Sequence, residues 1–118
     1  METSVPTPLR PRPLAEFQTH GENPVTSLVI NAGASTLRFL HVVNNTATAG
    51  FVQIHNAATL PADAVKPLLS RPIAANGEVL LDVPIYCSTG LTIVISTTLA
   101  TKTISANAAL VFAKFVKH

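Results

Sequence analysis

Charge is scarce in this chain: Asp, Glu, Lys and Arg make up 12% of its 118 residues, against a usual share of about 25%. Something other than charge must cover the surface. Ala, Thr, Ser and Asn do part of that, but a surface poor in charge also fits a protein much of which is covered by partners. The expectation is an oligomer or an assembly subunit. Trp is absent and the aromatic share is 5%, so there is no basic motif interleaved with stacking rings. The basic residues Arg38, Lys66, Arg71, Lys102, Lys114 and Lys117 are scattered rather than clustered, which argues against nucleic acid as a partner.

Cysteine occurs once, at Cys87, which excludes an intrachain disulfide. The start of the chain lacks the basic segment and apolar run of a secretory signal, so folding in a reducing cytosol is expected. Every apolar stretch is broken by Asn, Pro, Gly or a charge before it reaches the roughly 18 residues of a membrane span. No membrane partner is expected. There is no Gly-rich phosphate loop, and no cofactor is implied.

What the sequence does have begins with proline. Five of the nine prolines (Pro6, Pro8, Pro11, Pro13 and Pro24) fall in residues 1–24. Closely spaced prolines fix φ and remove donors, which favours an extended chain. Residues 1–24 read as an extended Pro-rich N-terminal arm, with Leu9, Leu14 and Phe17 as apolar anchors for a partner. Residues 25–118 read as one domain, a length that folds alone.

That domain is a succession of short β-rich runs: Ser27–Asn31, Leu37–Asn44, Gly50–Asn56, Pro67–Ile73, Glu78–Val83, Leu91–Thr97 and Leu110–Lys117, with a weaker eighth at Thr101–Ser105. Gly, Asn and Pro punctuate them at 32–34, 44–46, 56–63, 76–77 and 88–90. Asn76-Gly77 is the strongest of these turn signals, and Asn-Gly is typical of hairpins. In Leu37–Asn44 strict alternation puts Leu37, Phe39, His41 and Val43 on one face and Arg38, Leu40, Val42 and Asn44 on the other. Both faces are largely apolar, as for a strand with a second layer or a subunit over its outer side. The pattern predicts an all-β, two-sheet β-sandwich with jelly-roll connectivity, an immunoglobulin-like Greek key being the alternative.

Catalytic groups are hard to assemble from these residues. Cys87 sits at a strand-to-turn boundary with no helix or Gly-rich context, and reads as a small buried hydrophobe. His41 and His55 lie on consecutive runs and would approach each other diagonally if those runs formed a hairpin, but no third metal ligand is evident. Glu78 and Asp82 share a face of one strand, and Asp63 is the only other acid in the domain. A pair of like charges on one face reads as a solvated edge rather than an acid/base pair. The chain reads as non-enzymatic, with no metal site.

Four stretches carry a likeness: the strand ending in VVNNTAT, then FVQIHNAATLPADA, PIAANGEVLLDVPI and STGLTIVIST. Over roughly residues 28–115 the chain resembles small virion structural proteins of tailed bacteriophages, in which a strand ending Asn-Ala-x-x-x-Pro precedes a Pro-hydrophobic-x-x-x-Gly unit and a Ser/Thr-Gly-Leu turn. It departs from them at Tyr86-Cys87, where they carry a Gly-containing stretch, and in its Pro-rich arm. The resemblance implies a virion component made in the host cytoplasm, foremost a capsid decoration or cement protein. Its implied partners are the major capsid protein and copies of itself, with a trimer preferred to a dimer. The alternative is a tail fibre, baseplate or neck module, with Tyr86 as the sole candidate sugar platform.

Overall fold

The computed structural model describes residues 16–18, 23–82 and 84–118. Its strands are β1 (Glu16–Gln18), β2 (Ser27–Asn31), β3 (Ser35–Val43), β4 (Gly50–Asn56), β5 (Leu69–Ile73), β6 (Glu78–Leu81), β7 (Ile85–Cys87), β8 (Leu91–Ser96) and β9 (Leu110–Lys117). Among the described residues there is no helix, and therefore none long and apolar enough to cross a membrane. The strands form two antiparallel sheets. One has the order β1-β9-β3-β6, with β7 also paired to β3, and the other has the order β2-β8-β4-β5.

The sheets bury one core between them. Leu37, Leu40, Val42, Val111, Ala113 and Phe115 come from the first, and Val52, Ile54, Leu91, Ile93 and Ile95 from the second. Apart from one irregularity in β3, these inward positions alternate along their strands, as the pleat requires. The two-sheet, all-β reading of the sequence is what the structure has, and three runs, Ser27–Asn31, Gly50–Asn56 and Leu110–Lys117, match strand for strand.

Strict alternation along β3 does not hold. Leu37 pairs with Phe115 but Phe39 with Lys114, so Arg38 is an extra residue without a partner on β9. This bulge shifts the phase of the strand by one. Leu37, Leu40 and Val42 face the core, while Arg38 is exposed and Phe39, His41 and Val43 are half-buried outside. Leu37 therefore does not share a face with Phe39 and His41.

Asn76-Gly77 does turn the chain between β5 and β6, but those strands belong to different sheets, so it is a crossing and not a hairpin. The Gly77 amide donates to the Ala74 carbonyl at 3.0 Å. Asn76 takes φ 53 at the third position, which Asn tolerates better than most residues.

Two further differences have local causes. The run expected to reach Val83 ends at Leu81, and pairing resumes only after Pro84, which has no N–H to give, as the short β7. Thr101–Ser105 is not a strand; a single bridge joins Ile104 to Ser96. Within the segment read as an arm, Glu16–Gln18 pair with β9, Phe17 lying opposite Phe115.

Candidate functional site

The outward face of the first sheet is a half-covered apolar surface. His41 lies between Leu80 of β6 and Phe112 of β9 in register, and its ring stacks on Phe112 with centroids 5.8 Å apart. Its Nε2 meets Glu78 Oε1 at 2.5 Å. Two residues along, the Lys114 ammonium sits over the Phe39 ring, 5.9 Å from its centroid, within cation–π range. Leu80 is 61% exposed. At the end of this sheet Tyr86 is 60% exposed and meets the His118 ring edge-on at 5.7 Å.

The second sheet is different, because its outward face is roofed. Gln53 and His55 of β4 and Thr92, Val94 and Ser96 of β8 are all buried, although the core lies on the opposite side of their strands. The cover is made by two loops, 57–68 and 97–105. Gln53 Nε2 donates to the carbonyls of Thr98 and Thr101, each at 2.9 Å. Lys102 is buried and its Nζ reaches Asp63 Oδ1 at 2.6 Å. A pair of backbone bonds locks the loops together: Ala64 N–H to Lys102 C=O at 2.7 Å, and Lys102 N–H to Val65 C=O at 2.8 Å.

That lock holds Ala64 at φ 74, a left-handed conformation that costs an alanine about 1–2 kcal/mol. Residues in such conformations persist only where their surroundings over-determine them, and they concentrate at ligand clamps. Immediately after Ala64, the chain forms one wall of a cleft of about 200 Å³, lined by Pro61, Val65, Lys66, Pro67 and Leu68 with His55, Asn56 and Ala57. The opposite margin is set by the turn before β8. Asn56 Oδ1 accepts from the Thr89 and Gly90 amides, and Thr92 Oγ1 donates to Ala57 C=O.

The network fixes the state of His55. Since Gln53 Nε2 faces carbonyl oxygens only, its Oε1 must be the atom that accepts, and His55 Nε2 must donate to it at 3.0 Å. Nδ1 then carries the lone pair. Burial, aided by the charge of Lys102, pushes the pKa of His55 below its ordinary 6.5, so the ring is neutral at pH 7.

The residues expected to carry function fall as follows. Leu9 and Leu14 lie outside the described residues; Phe17 is on β1 at the sheet edge. His41 and His55 are not neighbours across a hairpin, because β3 and β4 belong to different sheets. Among the described residues no three His, Cys, Asp or Glu are grouped so as to hold a metal. Glu78 is engaged by His41, and Asp82 is exposed. Cys87 is fully buried, and burial raises the pKa of its thiol, which keeps it protonated and a poor nucleophile. The buried Gln53–His55–Lys102 cluster had one trace in the sequence: Lys102 is the single charge in the otherwise uncharged stretch 83–113.

No known protein family, no characterised protein and no solved structure matches this chain.

Proposed function

We propose that the chain is a non-enzymatic virion structural protein of a tailed bacteriophage, a capsid decoration or cement protein that binds and stabilises the head lattice. The observation that carries this reading is the outward face of the first sheet. Phe39, His41, Phe112 and Leu80 form a continuous apolar surface, relieved by one acid and one base, on a protein with little charge elsewhere. The roofed second sheet makes the contrast: there the same chain spends two loops on covering an outward face. A face suited to burial in a complex is what an assembly subunit needs.

The strand orders support jelly-roll connectivity as the finer reading of the fold. In that architecture two four-stranded sheets are linked by connections that pass from one sheet to the other. Here β1-β9-β3-β6 faces β2-β8-β4-β5, and among the described residues β4 to β5 is the only link between consecutive strands that pair with each other. The partners in this reading are the major capsid protein and further copies of the chain, with a trimer preferred, and the location is the virion.

The test is a pair of measurements. Copy number in purified particles, by quantitative mass spectrometry, should be comparable with that of the major capsid protein. Capsid binding should be lost in Phe112→Asp and in a chain lacking residues 1–15, which retains β1 but loses Leu9 and Leu14. A handful of copies per particle would instead favour a tail fibre, baseplate or neck module, for which the exposed Tyr86 is the contact to test. Absence from particles would end the virion reading.

A further inference from the structure

Independently of any assembly role, the cleft over the second sheet has the features of a binding site. Its lining is mixed, Pro61, Val65, Pro67 and Leu68 standing beside Asn56 and Lys66, and its volume of about 200 Å³ is enough for one ring: an apolar cavity of about 150 Å³ holds benzene. Its floor is not apolar. His55 is 2% exposed, and with Nε2 committed to Gln53 its Nδ1 is an acceptor that has no hydrogen-bond partner among the described residues. It is not one of the side-chain atoms buried without a partner, which among the described residues are Ser35 Oγ and Ser70 Oγ, so Nδ1 is open to solvent and to a donor.

The rim adds to this. Three of the exposed large hydrophobic side chains, Leu60 (47%), Val65 (41%) and Leu68 (51%), lie in the single loop that frames the cleft. The loop is fixed in place by the backbone lock of Ala64 and Val65 to Lys102 and by Leu68 N–H to Ile54 C=O on β4 at 2.8 Å. A cleft with apolar side chains and a small number of polar groups, here His55, Asn56 and Lys66, is the usual form of a small-ligand site.

We infer that this cleft binds a single aromatic ring bearing an O–H donor, a phenol, with the ring between Val65, Pro67 and Leu68 and the hydroxyl donating to His55 Nδ1. A phenol fits better than a phenolate because the imidazole, with Nε2–H committed to Gln53, can only accept at Nδ1, so the hydroxyl must keep its proton to donate there. The ring could be free or carried as a tyrosyl side chain on a polypeptide, whose flanking main chain would then pass over Leu60 and Leu68.

The experiment is a titration of the ¹⁵N-labelled full chain followed by amide shifts, with p-cresol, toluene and the blocked peptide acetyl-Gly-Tyr-Gly-amide as probes. Expected are saturable shifts confined to Asn56, Ala57, Val65, Lys66 and Leu68, with toluene about tenfold weaker than p-cresol, the loss of one desolvated hydrogen bond. The peptide binding more tightly than p-cresol assigns a polypeptide source, and weaker binding assigns a free ring. Val65→Ala, at an exposed wall position, should weaken p-cresol several-fold, and His55→Phe should bring p-cresol and toluene to the same affinity. Should His55→Phe not fold, the toluene ratio and Val65→Ala decide the matter without it. Equal affinity for toluene and p-cresol in the unmodified chain, shifts located elsewhere, or no saturation would each overturn the inference.

Discussion

Lys102 Nζ lies 2.6 Å from Asp63 Oδ1, and the two side chains differ sharply in environment: the lysine is 4% exposed and the aspartate 60%. The ammonium is carried under the roof of the second sheet and meets its counter-charge at the surface. Removing the carboxylate leaves a buried charge unpaired, which is far worse than removing both charges together. Asp63→Asn should therefore lower the thermal midpoint more than Lys102→Met, whose stem keeps the apolar packing. Calorimetry on the two variants checks the order.

Acid should act on this pair in a defined window. Lys102, first through its hydrogen bond and then through its charge, holds the Asp63 carboxyl below its usual 3.8. The stabilisation is complete above about pH 4 and is lost as pH falls through the lower folded value. Denaturant titrations at pH 5 and pH 2.5 should show a smaller acid loss in Asp63→Asn than in the parent chain.

His55 acts at higher pH. Its folded pKa is depressed, so the unfolded chain takes up a proton that the fold refuses. Stability is unaffected above about pH 6.5 and declines below it, by at most about 1.4 kcal/mol per pH unit, until the folded value is reached. Urea midpoints at pH 7, 6 and 5 should fall in the parent chain, and His55→Phe should flatten that trend.

Gly90 has a steric role. A Cβ there would stand 2.5 Å from the Ala57 carbonyl oxygen, and the obstacle is backbone, held by Ala57 N–H to Gly90 C=O at 3.1 Å. Gly90→Ala should cost about 2–3 kcal/mol, read from the shift in denaturant midpoint.

Asn44 ties two loops together. Its Nδ2 donates to the carbonyls of Thr48 and Ala74, and its Oδ1 accepts from the Thr46 amide and hydroxyl, all at 5% exposure. Asn44→Ala leaves these groups without their partner and should cost about 2–3 kcal/mol, measured in the same way.

The strands were legible because their apolar residues recur with the period of a pleat and Gly, Asn and Pro separate them. Leu110–Lys117 could be read to the residue for that reason. The bulge at Arg38 could not, since an unpaired residue is visible only against its partner strand β9. Nor could the crossing at Asn76-Gly77, because the same dipeptide serves a hairpin or a passage between sheets, and pairing alone separates them. The roof over β4 was hidden for a different reason: 97–105 is held by backbone carbonyls meeting Gln53, and carbonyls leave no mark in a sequence. His55 was seen as a titratable residue on a strand, but its company, Gln53 and Lys102, comes from a neighbouring position and from a loop nearly fifty residues on.

The place of β9 between β1 and β3 has a consequence for how the protein is made. β9 is an interior member of its sheet, so β1 has no strand to pair with, and β3 has only β6 and β7, until residues 110–117 have left the ribosome. The order of synthesis thus withholds the complete first sheet, and with it the assembled apolar face bearing Phe39, His41 and Phe112, until β9 has been made. A chain that stops before residue 110 lacks Phe112 and the strand that aligns that face, and so cannot present it.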